Sequence, residues 1–202
     1  MNIFCIGRNY SEHARELNNP VPQTPIVFCK PSGALLRDNK PFYYPDFSED
    51  IQYEVELLLR LAKPARAVPK HKAIEYISHI GLGIDFTARD IQSRCKDKGL
   101  PWEIAKGFDH SALIGEWIDI HELDTSNIEF SLKKNKELVQ SGQSKDMLFQ
   151  FEDLIQYITS IFTLQTGDII FTGTPSGVGP VKRGDLLEGF IGERRMFWTE
   201  IR

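Results

Sequence analysis

The chain has 202 residues, 41% of them hydrophobic, with a formal charge of −4 and a pI near 5.8. That length suits a single domain over residues 1–202 with a proper core, and the acidic balance excludes the basic surface of a nucleic-acid binder. No stretch approaches the roughly 18 apolar residues that span a bilayer, and MNIFCIGRNY lacks the basic-then-apolar order of a signal peptide, so a cytoplasmic protein with no membrane partner is expected. Cys5, Cys29 and Cys95 lie far apart, show no metal-ligand spacing and read as reduced, buried thiols.

A short apolar run at 3–6 ends at Gly7. A helix is expected over 10–17, broken by the proline-punctuated NNPVPQTP. IVFCK reads as a brief strand ending at Lys30, and 31–50 as loops and short extended pieces. The run IQYEVELLL at 51–59 is short, apolar and strand-like. Pro64 and Pro69 bracket a turn before HKAIEYISHI, which reads as a helix. HIGLGIDFTARD then delivers Asp85 from a second strand, with Thr87 as candidate N-cap of the next helical turn. PWEIAKGFDHSALIG reads as mostly irregular. Strands are expected at 128–132, 168–172 and 186–190, with a helix at 151–162. Strands outnumber helices and are not regularly interleaved with them. This predicts an α+β fold with mixed or antiparallel sheets.

Side chains on a strand alternate faces, so Glu54 and Glu56 project together. Adjacent carboxylates repel and lose hydration when buried, which calls for a positive partner between them. With Asp85 they make an all-oxygen set of the kind that hard divalent cations such as Mg²⁺ or Mn²⁺ prefer. The alternative is a solvated strand face opposite a Lys or Arg. His13 and Glu16 lie three apart on the first helix, the spacing of a general base and its orienter or of an ordinary surface pair. Lys106, in WEIAKGFDH, is either partly buried and aimed at a carboxylate or oxyanion, or a snorkelling surface lysine. FTGTPSGVGPVKRGD offers backbone N–H groups and the Thr172 and Thr174 hydroxyls to an anion, or forms a tight hairpin. It is neither a Walker loop nor a dinucleotide fingerprint.

GRNYSEHARE at 7–16, VFCKP, YEVEL, IDFTARDIQ at 84–92, KGLPWEIAKGFD at 98–109 and GDIIFTGTPSGVGPV at 167–181 together resemble the fumarylacetoacetate hydrolase superfamily, most closely its small single-domain acylpyruvases and oxaloacetate decarboxylases. Six motifs in this order cover nearly the whole chain. The resemblance implies a mixed β-roll or sandwich-like fold with a few flanking helices, commonly a homodimer. It implies metal ligands Glu54, Glu56 and Asp85. It makes His13 with Glu16 a general-base pair on a lid segment, and Lys106 an active-site lysine; the polar, proline-rich composition of 18–25, with little to bury, predicts that this stretch moves with the His13 helix and orders over substrate. Lys30, Arg89 and Gln92 would line the substrate pocket, and Thr174 would bind the substrate carboxylate. No extra N-terminal domain of true fumarylacetoacetate hydrolases precedes these motifs, so fumarylacetoacetate itself is not the expected substrate.

The implied substrate is a 2-oxo acid with a second carbonyl or carboxylate further along. Carbon–carbon cleavage or loss of CO₂ leaves pyruvate enolate, which Mg²⁺, or Mn²⁺ in its place, and Lys106 would stabilise. Hydrolysis needs a water activated by His13 and Glu16, whereas decarboxylation and tautomerisation do not. The alternative within the family is an isomerase, decarboxylase or tautomerase acting on a 2-hydroxy-dienedioate or on oxaloacetate. A binding module that does no chemistry has no use for His, Glu and Lys beside a metal.

Overall fold

A computed structural model describes residues 1–16 and 20–202 of the chain. Its strands and helices run in the order β1 (Ile3–Gly7), α1 (Ser11–Glu16), β2 (Ile26–Lys30), β3 (Leu35–Leu36), β4 (Ile51–Tyr53), β5 (Val55–Leu61), β6 (Ile77–Asp85), β7 (Thr87–Ala88), α2 (Arg89–Asp97), α3 (Glu103–Lys106), β8 (Ala112–Asp119), β9 (Glu129–Lys134), β10 (Glu137–Gln143), α4 (Phe151–Ile161), β11 (Ile169–Phe171), β12 (Gly179–Pro180), β13 (Leu186–Ile191) and β14 (Arg194–Glu200). The strands form a seven-stranded sheet ordered β2-β1-β11-β5-β6-β8-β3, a four-stranded sheet β10-β9-β13-β14 and a three-stranded sheet β12-β4-β7. The expected α+β class with mixed sheets is observed: β1 runs parallel to β11 and antiparallel to β2.

The large sheet is covered on both faces, which is why β5 reads as an almost unbroken apolar run rather than an alternating one. Leu57, Leu59 and Leu61 face the main core with Leu82, Ile84 and Leu132. Leu58 faces the other way, into a smaller cluster with Ile3, Cys5, Ala112, Ile169 and Phe171. Burying each such side chain contributes roughly 1.5–3 kcal/mol. The four-stranded sheet lies close over β6 and β8. A Cβ on Gly115 would stand 2.5 Å from the Met196 carbonyl oxygen, so only glycine lets β8 and β14 meet there. In α4, Phe151, Leu154, Ile155 and Ile158 form the buried stripe of an amphipathic helix. Its N-terminus is closed by a Gln150/Asp153 capping box.

The three-stranded sheet matters most for function. β5 and β6 pair antiparallel, and the same two chain segments continue as β4 and β7, also antiparallel. Between them the ladder breaks at Glu54 and Phe86, where the Asp85 N–H donates to the Glu54 carbonyl at 2.9 Å. The single strand expected over 51–59 is therefore two strands belonging to two sheets, and Glu54 sits at the junction.

Other expectations change as well. HKAIEYISHI does not form one helix; Lys70–Tyr76 is a 3-10 helix and Ile77 onward is β6, because the β-branched residues there pair with β5. Thr87 caps no helix; it lies in β7, and Ala88 holds the N-cap position of α2. The irregular reading of 101–115 misses α3 and the start of β8. Of the three thiols, Cys5 and Cys95 are buried but Cys29 is exposed, because β2 is an edge strand. Residues 17–19, which include the expected end of the first helix and part of the 18–25 lid stretch, lie outside the described residues.

Candidate metal centre and active site

Glu54 at the sheet junction, Glu56 on β5 and Asp85 at the end of β6 each present an oxygen within 4.8 Å of the others. They are 5%, 2% and 1% exposed, which rules out the solvated strand face. Buried carboxylates require compensation, and the structure supplies it unequally. Lys106 Nζ donates to Glu54 Oε2 at 2.7 Å, Asp85 Oδ2 at 2.8 Å and Thr87 Oγ1 at 2.6 Å. An ammonium has three protons, and all are committed. Lys106 is thus buried between two of the carboxylates, not snorkelling. Its ammonium pKa is raised, the penalty of burial being outweighed by Asp85 and Glu54.

Arg89 completes the Glu54 environment. Its Nη2 pairs with Glu54 Oε1, its Nη1 donates to Gln92 Oε1 at 2.6 Å and its Nε to Gln52 Oε1 at 2.9 Å. Burial favours the neutral acid at Glu54, yet Lys106 and then Arg89 hold the carboxyl well below the usual range. Lys30, expected in the pocket wall, is instead enclosed behind Asp85. Its Nζ lies 2.7 Å from Asp85 Oδ1, donates to Ser111 Oγ at 3.0 Å and reaches the Lys106 carbonyl. The reason is register: Lys30 pairs with Ile3 on β1, which points it into the sheet's smaller apolar cluster rather than toward the opening.

Glu56 differs from its neighbours. Its one hydrogen bond among the described residues comes from the Gly173 N–H at 2.7 Å. Burial, then Asp85 and Glu54, push its carboxyl well above the ordinary value. Asp85 Oδ1 also lacks a hydrogen bond of good geometry. Three clustered hard oxygens, with one carboxylate that has no cation of its own, fit a divalent cation.

The remaining walls come from two loops. Gly173 has φ +99, and a Cβ there would stand 2.6 Å from Asn9 Cβ. Asn9 is fully buried; it donates to the Thr172 carbonyl at 2.8 Å and the Phe149 carbonyl at 3.0 Å, and accepts from the Phe149 N–H at 2.8 Å. It thereby ties GRNY to the TGTP loop. Thr174 lines the cavity, but its hydroxyl donates to the Val55 carbonyl at 2.8 Å and accepts from Gln140 at 2.9 Å, which leaves no free hydroxyl proton for a substrate carboxylate. His13 is buried and faces the same cavity, its Nδ1 3.5 Å from Glu16. Burial lowers the imidazole pKa, which favours the neutral form that can accept a proton. Glu16 in turn accepts from the Gly177 N–H at 3.1 Å.

The structure thus gathers His13, Glu54, Glu56, Asp85, Arg89, Gln92, Lys106 and Thr174 around one cavity, with Lys30 behind it and Glu16 at its edge. Sequence reasoning missed Asn9, Gln52, Thr87, Ser111 and Gln140, polar residues whose partners lie far along the chain. It also missed Arg8, Lys96 and Trp102, which line the cavity although each stands in a quoted motif or beside one.

Comparison with known proteins agrees. The family profile described as fumarylacetoacetate (FAA) hydrolase C-terminal matches residues 2–194. Mitochondrial oxaloacetate tautomerase of Homo sapiens is 41% identical over 191 residues, covering 94% of this chain and 86% of that protein. The crystal structure of fumarylpyruvate hydrolase from Pseudomonas aeruginosa in complex with Mn²⁺ and pyruvate superposes with TM-score 0.94 and 33% identity, over all of this chain and 89% of that one. The 5-carboxymethyl-2-hydroxymuconate delta-isomerase of Mycobacterium smegmatis gives TM-score 0.87 and 30% identity, over 99% of this chain and 78% of that one. With the family profile matching nearly the whole chain and relatives similar in both sequence and fold, the chain belongs to the fumarylacetoacetate hydrolase family of enzymes.

Proposed function

We propose that this chain is a metal-dependent enzyme acting on 2-oxo acids, by hydrolysis of acylpyruvates, decarboxylation of oxaloacetate, or both. The observation that carries the reading is a buried carboxylate triad, two members of which are bridged by a lysine, facing a buried histidine. Mg²⁺, or Mn²⁺ in its place, held by Glu54, Glu56 and Asp85, would supply electrophilic stabilisation of an oxygen as it gains charge. The Pseudomonas relative, a crystal structure in complex with Mn²⁺ and pyruvate, supports that choice of metal and head group.

The chain's own residues carry the other steps. Lys106 contributes a fixed positive charge beside the developing enolate, through its field rather than a free proton. Arg89, gripped by Gln52 and Gln92, orients the head group. For hydrolysis, His13 takes a proton from water, and Glu16, tethered by Gly177, keeps the imidazole in place. Trp102 and Phe28 wall the cavity and exclude bulk water.

Tautomerisation is the second reading, favoured by the human and mycobacterial relatives' names and by the looseness of the His13–Glu16 contact at 3.5 Å. It needs proton transfer at carbon and no hydrolytic water. The expected assembly is a homodimer. Exposed apolar side chains support it: Phe47, 52% exposed, packs edge-on to Phe108 at 5.3 Å, and Ile104 on α3 is 64% exposed. Sedimentation as a 23.1 kDa species at micromolar concentration would refute that assembly. Cytoplasmic residence belongs to the same proposal; no described helix is long and apolar enough to cross a membrane.

The decisive assay is turnover of acetylpyruvate, oxaloacetate and 2-hydroxyhepta-2,4-diene-1,7-dioate, with and without Mg²⁺, reading pyruvate release and keto–enol interconversion separately. Turnover of none of them overturns the 2-oxo acid reading. Full activity in excess EDTA overturns the metal.

A further inference from the structure

The cavity holds two cations that the chemistry above does not use. Its ion pairs run between Lys30, Arg89 and Lys106 on one side and Glu54 and Asp85 on the other. These three cations are thus all committed to Glu54 and Asp85, and none of them pairs with Glu56. Arg8 and Lys96 also line the cavity and stand outside these pairs among the described residues. The residues beyond the described set, at 17–19, are Leu, Asn and Asn, which carry no charge.

Both cations are held there deliberately. Arg8 follows the last residue of β1 at φ +59, a left-handed conformation that costs a non-glycine residue strain and that glycine would adopt freely. Lys96 lies in the last turn of α2, with its ammonium 5.8 Å from the Trp102 ring centroid. Trp102 also packs beside Gly7, at 3.5 Å from where a Cβ would be, so the end of β1 and the end of α2 meet across one indole. Two like charges are thus brought together, half-buried, with no carboxylate of their own. Burial first, then Arg89 and Arg8, lower the Lys96 pKa to about 8.

We propose that Arg8 and Lys96 form a clamp for a second, distal carboxylate, so that the site selects 2-oxo dicarboxylates over 2-oxo acids with a neutral tail. This rests on the 2-oxo acid reading above and narrows it. The metal-ligand end takes the 2-oxo head group, and the distal anion settles the surplus charge between β1 and α2. Trp102 between them covers the intervening carbons. A neutral tail would leave both cations half-desolvated and unpaired, which disfavours it.

The test is calorimetric, in the presence of Mg²⁺, with matched pairs differing only in the distal group: 2-oxoglutarate against 2-oxopentanoate, and 2-oxoadipate against 2-oxohexanoate. Oxalate serves as a probe of the head-group site alone. The diacid is expected to bind about 10- to 100-fold tighter in at least one pair. That ratio should fall toward one in Lys96→Met and in Arg8→Gln and be kept in Lys96→Arg, which also guards against a folding defect. Oxalate binding without diacid preference in the wild-type protein, or a preference that survives both neutralising variants, overturns the clamp alone. No binding of oxalate or of any 2-oxo acid overturns the clamp together with the reading beneath it.

Discussion

One face of β5 carries Glu56, Leu58 and Arg60 in succession, and the two ends of that face make opposite uses of buried charge. At the Arg60 end lies a cavity of about 570 Å³ bounded by Asn2, Trp117 and Asp168; the space at the Glu56 end is about 30 Å³. Size points to the wrong end. Asp168 is fully buried, but its oxygens accept from the Asn2 N–H at 2.7 Å and the Gln165 N–H at 2.8 Å, with the Asn2 side-chain amide adding a third donor at 3.1 Å. Nearby dipoles saturate it, and it has no capacity left. At the other end the carboxylates are matched by lysine and arginine side chains from β2, α2 and α3, and Glu56 keeps an oxygen to spare. A buried acid satisfied by backbone staples two segments together; a buried acid satisfied by distant cations is poised to exchange partners. No second cluster of three potential metal ligands occurs among the described residues.

Four measurements sharpen or break this contrast. The largest effect is expected from Glu56→Gln or Asp85→Asn: Mn²⁺ affinity by calorimetry should fall more than about 100-fold, while metal-free Glu56→Gln should unfold at no lower temperature, because like-charge repulsion is relieved. Retained Mn²⁺ affinity in both variants would end the metal assignment. Next comes His13→Ala, which should lower acylpyruvate hydrolysis by about 10²- to 10⁴-fold. The informative quantity is its effect on hydrolysis relative to oxaloacetate decarboxylation, after subtracting spontaneous CO₂ loss; equal losses would give His13 a role beyond activating water.

At the other end, Asp168→Asn should leave Mn²⁺ affinity untouched and reduce unfolding free energy by about 1–3 kcal/mol, since it disrupts a saturated acceptor set; a change in metal affinity would break the division of labour. The smallest effect is a pH shift. Lys96 titrates near 8 in the folded chain against 10.5 as its ordinary value, so protonated Lys96 is disfavoured by folding: the strain is full below about 8 and relieved as pH rises from there. Arg89, Arg8 and Lys106 depress it and Glu54 supports it. Preference for a diacid over its monoacid partner should therefore shrink as pH passes about 8, and Lys96→Met should show no such dependence.

Much of this site is legible in the chain itself. The period-2 spacing of Glu54 and Glu56 places them together whether or not β4 and β5 are one strand, because the break at Glu54 does not reverse the alternation. Asp85 follows from its apolar run, and His13 with Glu16 from helical spacing. Thr174 and Lys30 show the limit. Each lies where the motif predicts, at or behind the cavity, yet the Thr174 hydroxyl is consumed by Val55 and Gln140, and Lys30 turns toward Asp85. Residue type says what a side chain can bond; only its neighbours decide what it does bond.

The sequence by itself determined quantities that depend on positions a few residues apart: the α4 helix, the apolar runs of β1, β2, β11 and β13, and the face that Glu54 and Glu56 share. Only the tertiary structure decided how charge is distributed. Lys106 meets Asp85 at a sequence separation of 21 and Glu54 at 52, Gln140 meets Val55 at 85, and Asn9 meets Thr172 at 163. No local pattern encodes such pairings. They follow from which strands become neighbours and from the kink that sets two sheets at one junction. For the same reason, Arg8 and Lys96 are unremarkable side chains in the sequence and become a site only when β1 and α2 meet at Trp102.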